Sequence, residues 1–331
     1  MKKTSIIFSV LAATLIAASC AKTASTELNS GTKQSLEAWI NTYHPDAPQT
    51  PEGVWILADE PGTGAELEGT DEELFVYLDY TTSTPASLGE SFVSTTFRSL
   101  AERVGTGYDK SYYYGPKLTS FSESGISAGL ESALKGMKVG GHRKCLVPGW
   151  LNTTSRYDKL DDYYANESGT STIYDLYLRD IVPDETKWEL DSLSAYFSHN
   201  FPKVKIADSL IYGVYLIDAA GNAVKTPYSE SVYPGDTTVY VNYSGRLLNG
   251  SEFDSSSKMS VQWGKDYSLV TITTSKSKPV AGFAAGVWNM PPRQEVSVIF
   301  ISSLGYGSSG SGKTIPAYSP LRFDLEATES N

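Results

Sequence analysis

Leu36, Trp39, Ile40 and Tyr43 fall on one face of a helix, and Pro45 closes the run. A second run of the same make, Ser192-Leu193-Ser194-Ala195-Tyr196-Phe197, ends before Pro202. After each predicted helix comes an alternating apolar segment: Gly53-Val54-Trp55-Ile56-Leu57 in the first case, Gly213-Val214-Tyr215-Leu216-Ile217 in the second. Period-two alternation of β-branched and aromatic residues predicts strands. Two further strand pairs follow in the same order. Val76-Tyr77-Leu78-Asp79-Tyr80 answers Val239-Tyr240-Val241-Asn242-Tyr243, and Ser171 to Leu176 answers Pro320 to Leu325. Four matched segments in one order predict a unit used twice, with loops of unequal length. The boundary falls near Pro183 to Glu189, giving units at 33–184 and 185–331.

The first 19 residues stand outside this pattern. Lys2 and Lys3 precede an apolar stretch from Ile6 to Ile16, too short to span a bilayer. Small residues Ala17-Ala18-Ser19 then lead into Cys20, which resembles a bacterial lipobox. Residues 1–19 are therefore expected to be a lipoprotein signal peptide and Cys20 the lipidated residue. Polar residues 20–32 are expected to form a tether. The expected location is the bacterial cell envelope, lipid-anchored at the periplasmic side of the outer membrane. With Cys20 lipidated, Cys145 has no partner, and its apolar surroundings predict a buried thiol without a disulfide. The formal charge of −11 over 331 residues argues against a nucleic-acid partner.

The second unit carries four motifs in order. Val239 to Ser256 contains a strand, an Asn249-Gly250 hairpin signal and the run Glu252-Phe253-Asp254. Val280-Ala281-Gly282-Phe283-Ala284-Ala285-Gly286-Val287 follows. Then come Leu304-Gly305-Tyr306-Gly307 with Gly312-Lys313-Thr314-Ile315-Pro316, and finally Leu321 to Glu326. This set resembles the FKBP-type peptidyl-prolyl cis/trans isomerases. The resemblance implies an α+β fold: two FKBP-like antiparallel half-barrels, each wrapped on a short helix, each here preceded by an extra helix. It also implies a site for proline-containing polypeptides. Tyr243, Phe253, Asp254 and Tyr306 would carry catalysis. Val280, Phe283, Ile315 and Phe323 would bind substrate, Phe283 as the floor in place of the commoner Trp. Trp263 would add a wall, and Pro291-Pro292 replaces the family's Gly-containing turn. No cofactor and no metal is implied.

The first unit resembles the same family through Gly129-Leu130-Glu131 and Leu134 to Lys144. Tyr80 stands for Tyr243 and Phe92 for Phe253, but Val93 replaces Asp254, Leu130 replaces Phe283, and Asn152-Thr153-Thr154 falls where the tyrosine belongs. Fold signals persist there while polar site groups are gone. Isomerase activity is thus expected in the second unit. The alternative is a non-catalytic peptide-binding or chaperone lipoprotein built on the same shells. Other chemistry is thin. His44, His142 and His199 are scattered, without metal-ligand spacing. The Gly-rich run from Gly305 to Thr314 meets Pro316 rather than a helix, against a phosphate loop. Glu66, Glu68, Asp71, Glu72 and Glu73 read as a solvated loop without calcium-ligand spacing.

Overall fold

The structure, a computed structural model, describes residues 28–69, 74–122, 125–225, 238–263, 269–272, 279–290 and 294–328. Cys20, the signal peptide, Pro291-Pro292 and the acidic residues 71–73 lie outside the described residues. The first unit runs α1 (Ser30–Tyr43), β1 (Trp55–Glu60), β2 (Phe75–Ala86), β3 (Gly89–Thr95), α2 (Arg98–Val104), β4 (Lys117–Ser120), α3 (Ala128–Leu134), β5 (His142–Val147), α4 (Leu160–Asn166) and β6 (Thr172–Val182). The second runs α5 (Glu185–Asn200), β7 (Val214–Asp218), β8 (Thr238–Leu247), β9 (Glu252–Trp263), β10 (Leu269–Ile272), α6 (Ala281–Asn289), β11 (Glu295–Phe300) and β12 (Leu321–Thr328).

Each unit forms one six-stranded antiparallel sheet. The first has the order β1-β5-β6-β2-β3 with β4 also on β2, and the second β7-β11-β12-β8-β9-β10. Read strand by strand, the two orders are the same path through five strands. The fold is therefore α+β, as the family resemblance implies. One difference stands out. In the second unit β9 pairs along the whole of β8, from Thr238 to Arg246. In the first, β3 covers only Thr81–Ala86 and β4 only Phe75–Leu78. Residues 96–116, including α2, interrupt what is one strand in the other copy.

Alternation sets the layers. Val214, Leu216, Val298 and Phe300 face α6 in one core, while Tyr215, Ile217 and Ile299 face the other way onto Leu193 and Phe197 of α5. That is why β7 is buried on both faces. Both central helices lie close to their sheets because a glycine faces it: a Cβ on Gly282 would meet the Phe300 ring at 2.1 Å, and one on Gly129 would meet Val147 at 2.3 Å. Asp184 starts α5 by accepting from the Lys187 N–H at 2.8 Å.

One expectation needs adjustment. The expected tether ends earlier than residue 32, because α1 begins at Ser30 and the buried Asn29 side chain donates to the Tyr164 and Glu167 carbonyls. Cys145 is free and fully buried, and desolvation pushes its thiol up to about 12. Among the described residues no helix is long and apolar enough to cross a membrane.

Candidate functional site

The eight residues singled out in the second unit come from β8, β9, α6, β12 and the β11–β12 loop, and the fold brings them to one end of the sheet. Phe323 is the hub. Its ring meets Phe283 edge-on at 5.1 Å and Phe253 edge-on at 5.5 Å, and stacks with Phe300 at 5.9 Å. Tyr243 closes the group, edge-on to Phe283 at 5.5 Å. Each such contact contributes about 0.5–1.5 kcal/mol beyond its burial. Val280 and Ile315 join the same core, Val280 as the residue preceding α6.

Depth divides the set. Phe283, Ile315 and Phe323 are 3–5% exposed and form the backing. Tyr243, Phe253 and Val280 are half-buried, Asp254 is exposed, and Tyr306 stands at the rim with 37% of its surface free. These five are the surface a ligand can reach. The Trp263 side chain lies outside the described residues. Gly245 permits the arrangement: a Cβ there would sit 2.6 Å from the Phe253 ring and 2.8 Å from that of Phe323. A lone glycine in an alternating strand is the sequence signal for such a close approach.

The polar groups are also held. The Tyr243 hydroxyl donates to Asp254 Oδ2 at 2.8 Å. Burial, and then the bond to and charge of Asp254, push the Tyr243 hydroxyl well above its ordinary range. Burial and the Asp254 charge move Tyr306 the same way. Both phenols therefore remain hydrogen-bond donors at neutral pH.

The loop from Ile301 to Pro320 carries Tyr306 and Ile315. At its root the Ser302 N–H and Oγ–H donate to the buried Glu189 carboxyl on α5, at 2.6 and 2.5 Å. Nothing in the sequence around Glu189 marks it; it is one more polar residue in a helix.

In the first unit the register corrects one pairing. Thr82 pairs with Ser94 and Ser83 with Phe92, leaving Val93 in the bulge. The corresponding bulge between Gly245–Asp254 and Arg246–Glu252 holds Phe253. Val93, 58% exposed, therefore occupies the place of Phe253, and Ser94 that of Asp254. Counting residues from Phe92 misses this, because a bulge adds one residue to one strand only. Ser94 spends its hydroxyl on Thr82 Oγ1 at 2.7 Å.

A family profile described as FKBP-type peptidyl-prolyl cis-trans isomerase matches residues 229–328. A probable FKBP-type peptidyl-prolyl cis-trans isomerase of Haemophilus influenzae is 33% identical over 124 residues, 34% of this chain and 48% of that protein. FK506-binding protein 2 of Dictyostelium discoideum is 36% identical over 86 residues, 26% of this chain and 59% of that one. The chain thus spans about half the length of these relatives. A peptidyl-prolyl isomerase structure from Pseudomonas syringae, 23% identical, covers 44% of this chain and 94% of its own at a TM-score of 0.30, too low to support any inference. An FK506-binding protein of Neisseria meningitidis is 31% identical over 88 residues, 27% of this chain and 74% of its own length. With that relative matched over most of its length, and the profile spanning β8 to β12, this chain belongs to the FKBP-type peptidyl-prolyl cis-trans isomerase family.

Proposed function

We propose that residues 185–331 form a peptidyl-prolyl cis/trans isomerase acting on proline-containing polypeptides. The observation that carries this reading is the convergence of four separate sequence motifs on one aromatic cluster with Tyr306 and Asp254 at its rim. An X–Pro bond isomerises unaided in tens to hundreds of seconds, because twisting it breaks amide resonance. The twisted amide has less charge separation than the planar one, so an apolar wall of Tyr243, Phe253 and Val280 favours it. Tyr306 donates to the substrate carbonyl, and Asp254, held by Tyr243, supplies the second polar contact. Residues 33–184 have Leu130, Ser94 and the run Asn152-Thr153-Thr154 in place of Phe283, Asp254 and Tyr306, and are assigned no catalysis.

In the full chain, Tyr306→Phe is expected to lower kcat/KM on a proline peptide by a few-fold to about tenfold, as loss of one hydrogen bond worth about 0.5–1.5 kcal/mol requires. Asp254→Ser, copying Ser94, should cost more. Full activity in both variants would remove these residues from the site. A wild-type chain that binds proline peptides without accelerating isomerisation would favour the peptide-binding alternative.

We further propose that Cys20 carries a lipid that anchors the chain in a bacterial envelope, at the periplasmic side of the outer membrane, where exported proteins would be its clients. Growth with a labelled fatty-acid analogue should mark the wild type and leave Cys20→Ala unmarked. Equal labelling of both would end that assignment.

A further inference from the structure

We propose that the N-terminal copy positions the β11–β12 loop of the C-terminal site, with Tyr318 as its main anchor and Tyr113 and Asp109 as supports. This inference rests on the isomerase reading for its kinetic consequence, and on geometry for the rest.

The loop is gripped at two places by residues of the other copy. Around its middle, the Tyr113 N–H donates to the Lys313 carbonyl at 2.9 Å, and Lys313 Nζ pairs with Asp109. Asp109 is fixed in turn by the Ser111 N–H at 2.9 Å and hydroxyl at 2.6 Å. The Tyr113 ring packs against the core that contains Phe283, Ile315 and Phe323. Near the loop's end, the Tyr318 ring meets Phe75 of β2 edge-on at 5.0 Å, beside Leu118 and Val182. Its N–H donates to the Gly307 carbonyl at 2.8 Å, one residue from Tyr306.

Tyr318 has φ +55°, and among the described residues it alone takes positive φ without being glycine. A left-handed backbone is unfavourable for a bulky residue and persists where surroundings impose it. Here the imposing contact is the half-buried ring, packed edge-on against the buried Phe75 of the other copy. That same bend points the Tyr318 N–H at the segment bearing Tyr306. Tyr113 and Asp109 belong to residues 96–116, which interrupt the strand that is continuous in the C-terminal copy. The interruption thus reaches the site-bearing loop of its neighbour. The Asp109–Lys313 pair is solvent-accessible and worth little by itself. The packing of the half-buried Tyr318 and Tyr113 rings decides the effect.

The test uses the full chain. Amide exchange is read at Gly310, Ser311 and Ile315, with β11 and β12 as the folding control, and kcat/KM is read on a proline peptide. Tyr318→Ala should raise loop exchange at least tenfold, leave β11 and β12 protected, and lower kcat/KM about three- to tenfold. Tyr318→Phe, which keeps the ring, should restore both. Should Tyr318→Ala fail to fold, Phe75→Leu on β2 should still loosen the loop by several-fold. Unchanged loop exchange in both variants overturns the proposal. A looser loop with unchanged kcat/KM overturns its role in catalysis. An inactive wild type would refute the isomerase reading, and the exchange data would still decide whether the N-terminal copy holds the loop.

Discussion

Glu189→Gln is expected to make the protein more stable than the wild type at pH 8 by about 3 kcal/mol, with little difference near pH 4. Burial is the largest influence on Glu189 and pushes its carboxyl up to about 7; the two bonds from Ser302 pull the other way and lose, and the Glu185 charge adds a smaller push upward. A carboxyl with a raised pKa in the folded state holds its proton after the unfolded chain has released it. Between about pH 4.5 and 7 the folded state therefore binds more protons, and stability falls as pH rises through that window. A shift of this size corresponds to about 3 kcal/mol at 1.36 kcal/mol per pH unit. Glutamine stays neutral throughout, can accept from the Ser302 N–H, and can donate to its Oγ. Urea titrations of both proteins from pH 4 to 8 measure the difference directly. Curves that stay parallel would show that Glu189 titrates normally. Glu189→Ala, by contrast, would strand the buried Ser302 N–H at a cost of about 1–3 kcal/mol at every pH.

The second large effect is expected at Phe323. Truncation to Ala removes the ring that Phe253, Tyr243, Phe283 and Phe300 all touch, at a site 5% exposed. The lost transfer energy and the cavity together should cost about 3–5 kcal/mol. The surrounding rings cannot collapse inward easily, because the sheet backbone at Phe323 is fixed by pairing to β8 and β11. Phe323→Leu should cost less, as it leaves a smaller void. Denaturation midpoints for the two variants give the ranking; equal, small losses would mean the cluster repacks.

Much of this architecture was legible before any coordinates. Helix spacing at Leu36, Trp39 and Ile40 and alternation at Gly213 to Ile217 report burial directly, since each face must meet a core. The clustering of Tyr243, Phe253, Phe283 and Phe323 was implied by the family resemblance of the motifs that carry them. Three things were not legible. The pairing of Phe92 and Val93 depends on a bulge, and hydrogen-bond register leaves no trace in side-chain pattern. Glu189 is chosen by what packs over it, not by its neighbours in sequence. Residues 96–116 carry four tyrosines, Tyr108, Tyr112, Tyr113 and Tyr114, yet nothing local says that they reach a loop some 200 positions away.

The interrupted strand also bears on how the chain is made. Synthesis runs from the N-terminus, and domains generally fold as units as they emerge. All of residues 96–116 and β2 are complete before the loop from Ile301 to Pro320 exists, so their sheet can form first and present a finished surface. The Lys313–Asp109 contact joins residues separated by 204 positions, a closure that contributes only after both sheets are in place. Assembly of the molecule therefore has a direction: the N-terminal copy is ready first, and the C-terminal copy is completed against it.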